Sequence, residues 1–117
     1  MLVKVELSNI IEFINFMIFI YTTCANSEEA KSLGKLIIEK KMGACVDYWP
    51  INSLYNGEKG FKELPQTMMM VTTFEPKLEE VNDFISKHHS YAVPIIAGLD
   101  IRRINRAYKE WMMQKMA

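Results

Sequence analysis

One stretch limits what this chain can fold into more than any other. From Gly43 it reads GACVDYWPINSLYNGEKGFKELPQTMMMVTTF and closes at Phe74. Two apolar-rich arms flank Asn56-Gly57-Glu58-Lys59-Gly60. An Asn-Gly pair supplies the positive φ values that a tight turn needs, so the stretch predicts a β-hairpin turning at Asn56-Gly57. Each arm then runs to about a dozen residues, roughly 40 Å at ~3.3 Å per residue. Strands of a compact domain this size are about half as long. The outer half of the hairpin must project beyond its own core. Its ladder groups and apolar side chains then need partners from another chain. Self-association is therefore expected before any chemistry is considered. Pro50 and Pro65 stand at similar distances from the turn, and neither can donate a ladder hydrogen bond. A bend or bulge is expected there, dividing an inner half from an outer half.

The rest of the chain reads as short elements around that hairpin. Leu2–Leu7 alternates apolar and charged residues, which fits a strand. Ser8 suits the cap of a short helix with Ile10, Ile11 and Ile14 on one face. Met17–Thr22 is apolar on both faces, as a central strand is. Asn26 followed by Glu29 is a capping-box pattern, and Ala30, Leu33, Gly34, Ile37 and Ile38 follow at helical spacing. Gly43 fits the residue that stops this helix. Glu75-Pro76 opens a second helix, whose stripe is Leu78, Val81, Phe84 and Ile85 and which ends near His88-His89. Val93–Leu99 predicts another strand. A last helix is expected from about Arg103, with Ile104, Ala107, Tyr108, Trp111 and Met112 on one face. The order is β-α-β-β-α-β plus a C-terminal helix, the α+β ferredoxin-like arrangement of a four-stranded sheet with helices on one face.

Composition narrows the partners. The 117 residues suit one domain. Fourteen basic and fourteen acidic residues leave no net charge, so neither nucleic acid nor a membrane is an expected partner. Two cysteines cannot build a disulfide framework, and both read as thiols in a reducing compartment. The apolar run Phe13–Tyr21, followed by Thr22-Thr23-Cys24-Ala25, has only Lys4 as a basic residue before it and is interrupted by Asn15. That is a poor leader and too short a membrane span, so a cytoplasmic protein is expected.

With the elements placed, the chain resembles the CutA divalent-cation-tolerance family. Three stretches carry the likeness. The first is Ile20-Tyr21-Thr22-Thr23-Cys24 with Glu28-Glu29-Ala30. The second is Met42-Gly43-Ala44-Cys45-Val46, with Pro50 a few residues on. The third is His89-Ser90-Tyr91-Ala92-Val93-Pro94, continuing to Asn105, Ala107, Tyr108, Glu110 and Trp111. There the family reads H-P-Y-E-V-P-E and then N-x-A-Y-x-x-W. The likeness runs from Met17 to about Met116. Residues 1–16 are then an N-terminal extension, and 17–117 a single domain. The resemblance implies PII-like trimers of ferredoxin-like subunits, paired through their long hairpins. It also implies a link to copper and other divalent-cation tolerance, without an established reaction. Two family acids of the third stretch are replaced by Ala92 and Ile95. At the hairpin tip, Asn56-Gly57 stands where the family has two aromatics, while Glu58 keeps the acid.

His88 and His89 are the only histidines. Imidazole is a good copper or zinc ligand. The resemblance implies a copper site made by such a pair with a cysteine on the first strand, here Cys24. Adjacent histidines at a helix end also serve as C-terminal caps. Cys24 precedes a helix N-terminus by two residues, where a thiol pKa is commonly lowered. Cys45, in an apolar strand, reads as a small buried hydrophobe. Met68, Met69 and Met70 alternate faces on a strand and cannot converge on one ion. No phosphate loop, HExxH, CxxC or nucleophile elbow occurs.

The leading expectation is a non-enzymatic homotrimer with copper or another divalent cation as its candidate ligand, none of them essential. An unidentified protein partner is compatible with it. The alternative is a PII-like small-ligand sensor, with Glu58, Lys59 and Tyr91 as ligand contacts and Gly57 and Lys62 beside them. A third is an enzyme pairing Cys24 with His88 or His89.

Overall fold

The computed structural model describes residues 16–117. The strand expected at Leu2–Leu7 and the helix capped by Ser8 lie outside the described residues. The elements are β1 (Met17–Cys24), α1 (Ser27–Glu39), β2 (Cys45–Gly57), β3 (Gly60–Phe74), a 3-10 turn (Glu75–Lys77), α2 (Leu78–His88), β4 (Ala97–Asp100) and α3 (Arg106–Lys115). The sheet order is β2-β3-β1-β4, and every neighbouring pair is antiparallel. This is the ferredoxin-like arrangement that the element order predicts.

Side-chain alternation along β1 sorts the core into two parts. Ile18, Ile20 and Cys24 face α1 and α2, where they pack with Ala30, Leu33, Ile37, Val81, Phe84 and Ile85. Met17 points the other way and packs with Ala44, Phe74 and Met112, so α3 covers one end of the opposite face. Farther along that opposite face, Phe19, Tyr21, Met68 and Met70 are only half-buried. β1 is therefore sealed on one side rather than on both. As expected from strand alternation, Met69 is fully buried on the helical side while its two methionine neighbours are not.

The hairpin arms span 13 and 15 residues. The register holds without a slip from Cys45↔Thr72 to Gly57↔Gly60, so there is no bulge at the prolines. Pro50 lies opposite Thr67 and Pro65 opposite Asn52. These pairs are two apart and belong to one class of the ladder, whose N–H groups point away from the partner strand and which proline can occupy. The inner and outer halves divide instead where β1 stops, at Cys24↔Thr67. Beyond it, Gly60–Gln66 pairs with β2 alone among the described residues. The described chain measures 64 × 26 × 26 Å with a radius of gyration of 16.7 Å. A compact domain of this length has a radius of about 13 Å.

The turn also sits two residues later than the Asn-Gly pair suggests. Glu58 and Lys59 form the loop, and the positive φ falls on Gly60 (110°), not on Asn56 or Gly57. A glycine just after a two-residue loop lets the tight turn rejoin the ladder. The end of α1 differs as well. Lys41 carries the left-handed conformation (φ 57°), while its N–H bonds the Ile38 carbonyl and that of Met42 bonds Ile37. This is a Schellman ending without glycine. Gly43 is needed for a different reason: a Cβ there would lie 2.6 Å from Val71 Cγ1. β4 is shorter than Val93–Leu99 because β1 pairs with it only through Ile18–Tyr21. Val93, 90% exposed, lies outside the sheet. α3 starts at Arg106 with Asn105 as N-cap, three residues later than expected.

Candidate functional site

The open end of β1 meets two loops, and the chemistry collects there. Asn26 caps α1 by accepting from the Glu29 N–H at 2.9 Å. Glu29 reaches back in turn, as in a capping box shifted by one residue, with Oε1 accepting from the N–H of Ala25, just before the cap, at 2.9 Å. Its Oε2 accepts from the Ser90 N–H at 2.8 Å, across 61 residues of sequence. The carboxylate thus ties the start of α1 to the loop after α2. Burial alone would push its pKa up. The hydrogen bonds from Ala25 and Ser90, helped by His89, outweigh that and hold it below its ordinary value of 4.5.

His89 sits beside it. Its Nε2 lies 2.9 Å from the Thr23 carbonyl, which can only accept, so Nε2 carries the proton. Its Nδ1 accepts from the Tyr91 N–H at 2.9 Å. Both imidazole nitrogens are thus engaged. Tyr91 packs against it at 4.9 Å between ring centroids and donates its hydroxyl to Gln66 Oε1 at 2.9 Å. Gln66 Nε2 in turn donates to Ser53 Oγ at 2.8 Å. A continuous set of polar contacts runs from α1 into the hairpin arms.

Cys24 Sγ, a Glu29 oxygen and a His89 nitrogen lie within 4.8 Å of one another. Two expected metal residues, Cys24 and His89, are therefore together, and Glu29 joins them. Sequence spacing marked Glu29 as a cap only; its reach to Ser90 depends on how the loops fold. His88 stands outside this group and packs against Phe84, 4.6 Å between ring centroids. Glu58 and Lys59 are at the hairpin tip with Tyr55 and Lys62, far from Tyr91, which belongs to the β1 end.

The donor set is right in kind for copper or zinc, but it does not fit an ion as folded. The imidazole has no spare lone pair. Each Glu29 oxygen accepts one backbone N–H and is held in place by it, though one lone pair on each is left. The fully buried Cys24 thiol is pushed up to about 12, first by burial and then by the neighbouring Glu29 charge. The expectation of a lowered thiol pKa is thereby reversed. For nucleophilic chemistry Cys24 Sγ lies within 4.8 Å of an imidazole nitrogen, but the base's lone pair is taken and the thiol holds its proton. What the arrangement does well is brace three segments of chain.

The brace has a pH signature. A carboxyl held below its ordinary value stabilises the fold above that value, and the contribution is lost as pH falls through the folded value. Glu29→Gln should cost about 1–2 kcal/mol at pH 7, with solvent screening included. In urea unfolding the gap between variant and parent should shrink as the pH is taken below 4.5.

Comparison with known proteins places these features in a family. The description "CutA1 divalent ion tolerance protein" matches residues 18–115. The divalent-cation tolerance protein CutA of Archaeoglobus fulgidus is 35% identical over 94 residues, covering 80% of this chain and 92% of that one. Human protein CutA is 30% identical over 95 residues, and the match spans 80% of this chain but 53% of the human protein. A solved structure, the periplasmic divalent cation tolerance protein CutA from Archaeoglobus fulgidus, superposes with a TM-score of 0.81 at 33% identity. It covers 86% of this chain and 99% of that one.

Proposed function

The chain belongs to the CutA1 divalent ion tolerance protein family, and from that premise we propose that it acts as a self-assembling, non-catalytic trimer in divalent-cation tolerance. The observation that carries the proposal is the outer hairpin. From Gly60 to Gln66, β3 has no neighbour but β2 among the described residues, and the outer arms expose Leu54, Tyr55, Phe61 and Leu64. Such an edge, with apolar side chains beside it, is what a second copy of the strand pair can complete. On the other side of the sheet, Leu64 and Tyr55 continue the half-buried face of Phe19, Tyr21, Met68 and Met70, a second apolar surface open to a neighbouring copy. A non-catalytic role is supported by the protonated thiol and the fully engaged imidazole. Two free thiols suit a reducing compartment such as the cytoplasm.

The cation part of the proposal is narrower than the resemblance implies. Copper is not held by Cys24, Glu29 and His89 in their present arrangement, and those residues serve the fold. Light scattering tests both parts. The mass should be three times the 13.6 kDa of the chain, without and with copper(II). His89→Ala should lower the melting temperature yet leave the copper titration unchanged. A monomeric mass overturns the assembly, and a copper site lost in His89→Ala overturns the reading of the trio.

A further inference from the structure

Between Ile101 and Lys109 the chain carries four cations and no acid: Arg102, Arg103, Arg106 and Lys109. The whole chain has no net charge, so this excess is a matter of placement. Their surroundings divide the four. Arg106 pairs with Glu110 at 3.1 Å. The other three line one cavity of about 480 Å³, whose remaining wall is Phe16, Met17, Ile101 and Ile104. None of those three forms a salt bridge among the described residues. The cavity lies at the inner end of the sheet, where Met17 pairs with Phe74, and the hairpin tip is at the other end.

The first turn of α3 makes the placement less ordinary. It holds Arg106 and Lys109 and no acid, and Asn105 gives no side-chain cap bond. Cations there face the positive pole of the helix, the reverse of the stabilising order. A sequence that breaks a local rule in this way commonly does so for a ligand.

The chemistry of the walls selects the ligand. Guanidinium forks match the oxygens of phosphate in pairs, and an ammonium adds a point charge. A carboxylate has one charge and two oxygens for three cations. A phosphate monoester brings close to two charges at pH 7 and three free oxygens. The volume is within the usual range for small-molecule sites. Phe16, 38% exposed, together with Ile101 and Ile104 offers an apolar wall to whatever the phosphate carries. We propose that this cavity binds a small phosphate ester with an apolar or aromatic body.

Calorimetric titration of the full chain with phenyl phosphate, inorganic phosphate and benzoate, at constant ionic strength, tests this. Phenyl phosphate should saturate one site per chain and bind more tightly than phosphate or benzoate. The double variant Arg102→Gln/Arg103→Gln should weaken it by about tenfold or more, since two charge-assisted contacts go. Lys109→Gln should weaken it less, and Arg106→Gln should stay within about twofold of the parent. Phe16→Ala should bring phenyl phosphate down to the affinity of phosphate. All five positions have exposed or half-exposed side chains, and melting curves verify that the variants fold. Absence of saturation up to about 10 mM overturns the site. So does a loss in Arg106→Gln equal to that of the double variant, which would mean unspecific charge attraction. Benzoate binding as tightly as phenyl phosphate overturns the ligand class.

Discussion

The double variant Leu54→Asp/Phe61→Asp is expected to run as a 13.6 kDa monomer at concentrations where the parent chain has three times that mass. In the single subunit these side chains are 69% and 81% exposed. They lie on one face of the outer hairpin, since Leu54 is opposite Glu63 and Phe61 opposite Asn56, two positions on. Neither belongs to the core clusters, so the subunit fold should tolerate both changes. In the proposed assembly the same face is covered. A carboxylate buried there without a partner costs roughly 3 kcal/mol or more, and two of them weaken association by roughly four orders of magnitude. Sedimentation velocity measures the mass, and far-UV circular dichroism verifies that the sheet persists. A variant that keeps the parent mass would place the interface elsewhere than the hairpin.

The reach of that hairpin could be read from the sequence because it depends on length and apolarity, which neighbours do not change. Its details could not. The turn moved from Asn56-Gly57 to Glu58-Lys59 because strand register is set by the whole ladder back to Cys45, not by the best turn dipeptide. The prolines needed no bulge because both fell in the ladder class that spares their missing N–H, a parity that appears only once the register is known. Lys41 took the left-handed position expected of Gly43 because packing of Met42 against the core decided where the chain turns. The candidate site divides in the same way. The Asn26–Glu29 cap is a local pattern and was legible. The second bond of Glu29, to Ser90, and the bond of His89 to the Thr23 carbonyl join segments more than sixty residues apart, and no spacing announces them.

Cys24 should resist alkylation in the native protein, and the reason lies in that same cap. Its place two residues before α1 suggests an acidic thiol, since the first N–H groups of a helix attract negative charge. Here one of those donors, the Glu29 N–H, is taken by Asn26, and the Glu29 carboxylate takes the Ala25 N–H just before the cap. The group that satisfies the helix end also sets a carboxylate beside the sulfur. Burial adds to it, and the thiol stands at about 12 instead of 9.0. At pH 8 such a thiol has about a thousandfold less thiolate than an ordinary one, and thiolate is the reactive form. Cys45 is only half-buried, with its sulfur 3.9 Å from the Asp47 carboxylate oxygens; burial and Asp47 push its thiol up too. Iodoacetamide at pH 8, followed by peptide mapping, should therefore modify Cys45 ahead of Cys24, and both in urea. In Glu29→Gln, Cys24 should react faster than in the parent, because one source of its raised pKa is gone. Native labelling of Cys24 at the rate of a free thiol would contradict both the closed brace and the protonated sulfur within it.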